Sequence, residues 1–276
     1  MILTEQYTIP GAKGRPITAD LTYDDLDPKA PLVIFAHGIR GFKDWGAHHL
    51  VARRFAENGF RYLKFNFSHN GTTPEHLTEF ADLIAFGDNT FSIELDDLNN
   101  VIDFAYSGAA IPVADGVFLI GHSLGGGVSI VKTAEDNRIK NLATLAAIAH
   151  FDKLWPKQIE DQWRLQGVIY MKNARTGQDM PYRVTMLEDL DKNPVRLNIQ
   201  HRAAEITQPW LIIHGDADTS VPLKHAELLK VANLNAELLV IHGADHVFNV
   251  SQPYLKDVLT LQLKQVADAV ITFFKQ

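Results

Sequence analysis

Not one of the 276 residues is cysteine. Disulfides, thiolate metal sites and cysteine nucleophiles are therefore excluded, although that absence alone names no compartment. The sequence also contains no apolar run near the roughly 20 residues that a bilayer-spanning helix requires, so no membrane association is expected. A basic stripe is missing too. Lys and Arg number 26 against 33 Asp and Glu, the net charge is -7 with the signs interspersed, and no nucleic-acid partner is expected. There is no His-Glu-x-x-His motif, and His48 and His49, being adjacent, diverge by about 100° on a helix. The 12 histidines therefore give no reason to expect a metal. Met1 to Tyr7 has neither a basic n-region nor an apolar h-region; the expectation is a cytoplasmic protein without a secretory leader. Internal repeats, low-complexity tracts and long linkers are lacking, and nothing specifies an oligomeric state.

What is present describes a folded globule. Hydrophobic residues make up 46% and charged residues 21% of the chain, and the mean hydropathy is -0.08, far from the composition of a disordered chain. Strand and helix signals alternate. Residues 2–9 and 17–23 read as early strands separated by Pro10-Gly11, and Leu32 to Ala36 is a continuous apolar run suited to a strand buried on both faces. A helix follows over about 46–58, then a strand from Tyr62 to Phe67. Phe91, Leu95, Leu98, Ile102 and Ala105 recur at helical spacing, with Glu94, Asp96 and Asp97 in the first turn where they favour the helix dipole. Val117 to Ile120, Leu142 to Ala147, Trp210 to His214 and Leu238 to Ile241 supply further strands, and a last helix is expected over about 253–274. This alternation predicts right-handed crossovers and a mainly parallel sheet covered by helices on both faces. One stretch interrupts it. Between about 150 and 205 the chain is longer than a simple crossover and rich in aromatics and methionine, with a hairpin around Arg175-Thr176-Gly177. It reads as an insertion capping a single domain of residues 1–276.

Gly121-His122-Ser123-Leu124-Gly125 fits Gly-x-Ser-x-Gly, the pattern of a sharp strand-to-helix turn that exposes its serine. The pentapeptide is short and also fits a glycine turn with an incidental serine. Its context gives it meaning, because an apolar strand ends directly before it and a helix with small residues starts directly after it. A serine hydroxyl needs a neighbouring base, itself oriented by an acid. Two later strand ends offer both. His214-Gly215-Asp216-Ala217-Asp218 follows one strand, and His242-Gly243-Ala244-Asp245-His246 follows the next. Such C-terminal strand ends are where α/β sheets build their sites.

His-Gly-Asp-x-Asp-x-x-Val-Pro (214–222) followed by Gly-Ala-Asp-His-x-Phe (243–248) resembles the acid and histidine loops of α/β-hydrolases. The likeness is greatest to bacterial feruloyl and cinnamoyl esterases and to hydrolases related to prolyl oligopeptidases. It spans about Leu32 to Phe274. The resemblance implies the α/β-hydrolase fold and a triad of Ser123, Asp218 and His246, with Asp216 in a structural role in the turn and as the alternative acid. It implies an oxyanion hole from the amides of Leu124 and of Ile39 in the loop after His37-Gly38, with Arg40 as the alternative donor. That loop departs from lipases carrying a His-Gly-Gly-Gly run. Residues 66–72 also depart from the Asp-x-Arg-Gly-His-Gly of related enzymes; His69 there either meets substrate or bonds nearby backbone. Phe42, His122, Trp155 and Tyr170 are the candidate substrate contacts; Phe42 and Trp45 either line the acyl pocket or pack the first helix, with packing preferred for Trp45. The implied activity is hydrolysis of small-molecule carboxylic esters, including feruloyl or cinnamoyl types, through an acyl-enzyme and with no cofactor. Thioester or peptide hydrolysis would use the same groups, and a non-catalytic binding protein of this fold is the reading from another class.

Overall fold

A computed structural model describes residues 1–114 and 116–276. The chain opens with β1 (Ile2–Pro10), β2 (Pro16–Asp24) and β3 (Leu32–Ala36), then α1 (His48–Glu57) and β4 (Arg61–Asn66). Two helices follow, α2 (Leu83–Asp88) and α3 (Phe91–Ser107), leading into β5 (Val117–His122), α4 (Leu124–Glu135) and β6 (Ile139–Leu145). The stretch after β6 carries α5 (Lys157–Gln166), β7 (Val168–Lys172), β8 (Asp179–Arg183), α6 (Thr185–Lys192) and α7 (Ile199–Glu205). The chain then completes β9 (Trp210–Gly215), α8 (Lys224–Ala232), β10 (Glu237–Ile241) and α9 (Leu261–Phe274).

Eight strands form one sheet in the order β1-β2-β4-β3-β5-β6-β9-β10. From β4 to β10 every neighbour is parallel, while β1 and β2 pair antiparallel at one edge. The apolar runs exist because both faces are covered. In β3, Leu32, Ile34 and Ala36 enter the core that includes residues of α3 and α4, whereas Val33 and Phe35 enter a second core shared with α1 and α9. Such alternation within one run gives no polar face for a period-two pattern to display.

Three features differ from the sequence expectation. The helix α2 has only six residues, too few to display a period, and its Asp82 side chain accepts the Ala85 N–H at 2.8 Å. The last helix starts at Leu261 rather than near 253, capped by Thr260, whose hydroxyl accepts the Leu263 N–H at 3.1 Å. Glu94 and Asp97 of α3 are buried rather than solvated dipole partners. Burial pushes the Glu94 carboxyl up to about 8, so it is neutral at pH 7, and Asn89 Nδ2 donates to its Oε1 at 2.8 Å. Asp97 accepts from the amides of Ala12 and Ser68 at 2.7 and 2.8 Å and from the Ser68 hydroxyl at 2.8 Å. It ties the β1–β2 turn and the loop after β4 to α3.

Between β6 and β9, the antiparallel β7–β8 hairpin pairs Val168 with Arg183 through Lys172 with Asp179. Trp163, Met180 and Tyr182 are fully buried there, with Trp155 edge-on to Trp163 at 5.0 Å. Phe86 of α2 meets Tyr182 edge-on at 5.3 Å. These large side chains join the insertion to α2 and to the main core. Among the described residues, no helix is long and apolar enough to cross a membrane.

Candidate active site

Ser123 stands where β5 gives way to α4, with φ 58° and ψ -119°, a conformation that costs an L-residue roughly 1–3 kcal/mol. Neighbouring backbone holds it there: its N–H donates to Leu145 O at 2.9 Å, and its carbonyl accepts from Gly126 and Ile148. The turn requires glycine at 125, where a Cβ would lie 2.3 Å from His37 O. Gly38 lies against the serine, and a Cβ there would come within 2.9 Å of the Ser123 Cβ. The missing side chains let the β3 loop, the elbow and the start of α4 converge on one point.

His246 reaches this point from the loop after β10. Its Nε2 is 3.0 Å from Ser123 Oγ and its Nδ1 2.7 Å from Asp218 Oδ2. The other oxygen of Asp218 accepts the amides of Ser220 and Val221 at 2.9 and 2.8 Å. Burial pushes the Asp218 carboxyl up, but the hydrogen bonds from His214, His246 and Val221 outweigh it and hold it well below the usual carboxylate range. The carboxylate is therefore ionised, and His246 Nδ1–H donates to it, which leaves Nε2 to accept from the serine hydroxyl. Asp216 has a different partner. It accepts from His242 Nδ1 at 2.7 Å and from Gly243 N at 2.6 Å, and His242 is 99% exposed. The structure brings Asp218 and His246 to Ser123; it brings neither Asp216 nor His242.

The amides of Leu124 and Ile39 have no partner among the described residues. Leu124 is the first residue of α4, so its N–H belongs to the positive end of that helix. The loop bearing Ile39 is fixed from several sides. Gly41 N–H closes a turn on Gly38 O at 2.9 Å. The Phe67 amide and Asn70 Nδ2 approach His37 Nε2 at 3.4 Å, so Nδ1 carries the proton and donates to Gly38 O at 2.9 Å. Lys43 is buried, donating to Asp20 and Asp44 at 2.6 Å each, and Lys64 pairs with the same two carboxylates. Arg40 Nε donates to the Tyr182 hydroxyl at 3.0 Å, linking the loop to the hairpin.

A cavity of about 170 Å³ opens at Ser123 and His246 and is lined by Ile39, Arg40, Trp45 and His122 among others. His122 also donates from Nε2 to the backbone oxygen of His246 at 2.9 Å, holding that loop against the elbow. The other proposed contacts lie elsewhere. Phe42 is wholly buried, packed on Phe80 at 6.3 Å with the Arg175 guanidinium above it. Trp155 belongs to the hairpin core, and Tyr170 is 63% exposed and faces a separate cleft with Leu83 and Ile84. His69 is buried and shares a 2.7 Å hydrogen bond with the Ser68 hydroxyl. Two supporting residues had no role assigned from sequence, His37 and His214. Each is the histidine of a His-Gly pair ending a strand, and His214 Nε2 lies 3.4 Å from Asp218 Oδ2 while donating to Val221 O at 2.7 Å. The repeated His-Gly was the available signal.

The model of the alpha/beta hydrolase family matches residues 33–255. A monoacylglycerol lipase of Mycolicibacterium smegmatis is 26% identical over 279 residues, covering 92% of this chain and 94% of that protein. Est1E from Butyrivibrio proteoclasticus, in a structure with ferulic acid bound, superposes with a TM-score of 0.73 at 21% identity, covering 98% of each chain. A puromycin-hydrolyzing peptidase of Mycobacterium tuberculosis gives a TM-score of 0.69 at 16% identity, covering 100% of this chain and 39% of that one. At these identities the two solved structures speak for the fold alone.

Proposed function

The chain belongs to the alpha/beta hydrolase family, and from that premise we propose that it is a serine hydrolase cleaving carboxylic esters through an acyl-enzyme. The observation that carries this is the unbroken chain from Ser123 Oγ through His246 to an ionised Asp218, at 3.0 and 2.7 Å. Ser123 Oγ attacks the ester carbonyl as His246 Nε2 takes its proton. Charge develops on the carbonyl oxygen, which the amides of Leu124 and Ile39 hold; both are unpartnered among the described residues, one directly after the serine and one directly after Gly38, which packs on it. Collapse of the intermediate breaks the ester bond, and the leaving alcohol takes the proton from Nε2. Water then repeats the sequence on the acyl-enzyme, releasing the acid and restoring the serine. Asp218 fixes the tautomer and stabilises the imidazolium. The mycobacterial relative, named as a lipase of monoacylglycerol, supports an ester as the bond cleaved.

The test is labelling of wild type and Ser123→Ala with a fluorophosphonate, read by intact mass, together with turnover of p-nitrophenyl acetate. One adduct on wild type alone, and a fall in kcat of at least about 10³-fold in the variant, are expected. Equal labelling of both proteins, or near-normal turnover by Ser123→Ala, overturns the assignment.

A further inference from the structure

The cavity at Ser123 does not lead beneath the hairpin insertion. None of residues 150–205 lines it among the described residues. It leads instead between the sheet and the helices α1 and α9. Val51 and Phe55 of α1 face it from one helix; Leu263, Val266, Ala267 and Val270 face it from the other. The α9 residues recur at three- and four-residue spacing over two turns, about 10 Å of helix. The sheet gives a matching length. Tyr62, also in the wall, pairs in register with Val33, four residues and so about 13 Å before the His37 loop.

Volume and length together define the occupant. An apolar cavity of about 150 Å³ accommodates benzene, six carbons in a ring. The cavity here holds a similar volume, about 170 Å³, drawn out along the helices. It accepts a comparable number of carbons in a line. Beyond Arg40 at the mouth its walls are uncharged. Burial pushes the imidazoles of His48 and His122 down to about 3 and that of His37 to about 4, so all three are neutral at pH 7.

We infer that this channel is the acyl site, taking straight, saturated acyl chains of about six to eight carbons in the space between α1, α9 and the sheet. The inference rests on the serine esterase reading above for its chemistry and on the channel for its selectivity. The acyl carbonyl sits at Ser123 with the chain directed past His122 and Ile120 towards Val270 and Phe55. The alcohol leaves on the opposite, solvent side.

The test measures kcat/KM for p-nitrophenyl acetate, butyrate, hexanoate, octanoate and decanoate in wild type, Ala267→Phe and Val270→Ala. Each methylene buried adds about fourfold, so wild type should rise steeply from acetate to hexanoate and fall by decanoate, with methyl ferulate poor. Ala267→Phe fills the channel midway and should lower the ratio of hexanoate to acetate kcat/KM by at least about 30-fold. Val270→Ala deepens the far end and should move the optimum one or two carbons longer; it carries the test if Ala267→Phe fails to fold. A flat chain-length profile with acetate turned over, or an unchanged profile in the variants, overturns the channel and leaves the esterase standing. Calorimetry of Ser123→Ala with methyl hexanoate and methyl acetate separates the two readings. Preferential binding of hexanoate, lost on adding Ala267→Phe, with no ester turned over by wild type, upholds the channel and refutes the esterase. No preference for hexanoate overturns the channel.

Discussion

Asp218→Asn and Asp216→Asn make the sharpest pair of variants, because two aspartates two residues apart each face the Nδ1 of a different histidine, His246 and His242. In Asp218→Asn the new amide would keep the shape of the carboxylate, and its Oδ1 could still accept the Ser220 and Val221 amides that Asp218 Oδ1 accepts now. Its Nδ2 would then face His246 Nδ1, where the carboxylate Oδ2 now sits at 2.7 Å. Two donors cannot share that contact, so the imidazole must carry its proton on Nε2, facing Ser123 Oγ. A serine hydroxyl opposite an N–H has no base. In a serine protease the equivalent change costs about 10⁴ in kcat, or about 5.5 kcal/mol of transition-state stabilisation, and a loss of that order is expected here. Asp216→Asn removes only an exposed contact to His242, and kcat should stay within about twofold. The assay is steady-state hydrolysis of p-nitrophenyl acetate at pH 8, with Tm recorded for each protein. The acid limb of stability gives a second readout. A carboxyl held below its ordinary value contributes stability that is present above about pH 4 and lost as pH falls through the folded value. Wild type should therefore lose Tm more steeply below pH 4 than Asp218→Asn does. Equal losses of kcat in the two variants, or less than tenfold in Asp218→Asn, would refute the tautomer argument.

Two further outcomes follow from buried polar contacts. Because the Glu94 carboxyl stays protonated up to about pH 8 in the folded state, its folded pKa lies above the unfolded value of about 4.3 and stability falls as pH rises between the two. Glu94→Gln removes that dependence, so urea unfolding from pH 5 to 8 should show the variant gaining on wild type; parallel curves would contradict a neutral Glu94. Tyr182→Phe removes the hydroxyl that accepts Arg40 Nε at 3.0 Å, a contact worth about 1 kcal/mol. It should lower kcat on p-nitrophenyl acetate by about fivefold with KM little changed; a shift in KM alone would assign the contact to substrate binding instead.

The central sheet was legible because strands such as β3, β5 and β9 carry short apolar runs next to Gly or His, and β3 is buried along its whole length. The neighbourhood of Ser123, Asp218 and His246 was legible for a related reason: each follows the end of a parallel strand, and the serine sits in a turn that demands glycine at fixed offsets. The second aspartate could be preferred only through family likeness. Nothing in Asp-Ala-Asp distinguishes the residue that accepts His246 from the one that accepts His242, since that choice is made by the path of the loop after β10. The burial of Glu94 was within reach. It stands at three- and four-residue spacing between Phe91 and Leu98, on the apolar stripe, so its position indicates burial where its charge suggested solvent.

Trp155 and Tyr170 lie away from the cavity at Ser123 for a physical reason. Trp155, Trp163, Met180 and Tyr182 form a dense aromatic group in an insertion, and such a group is expected to cover a ligand. An insertion of this size must first be anchored, and these residues are spent on packing against one another and on the main core. The channel at Ser123 is instead lined by residues that look like ordinary core: Val51 and Phe55 on α1, and Val266, Ala267 and Val270 on α9. In sequence, a helix stripe that faces a filled core and one that faces a narrow void have the same period and composition. What separates them is packing, a sum over two helices and the strands between them that no local pattern encodes. Ala267 is the one position where size gives a hint. A small residue in the middle of a stripe of larger ones leaves room beside the helix, so filling that one position is the most direct challenge to the channel.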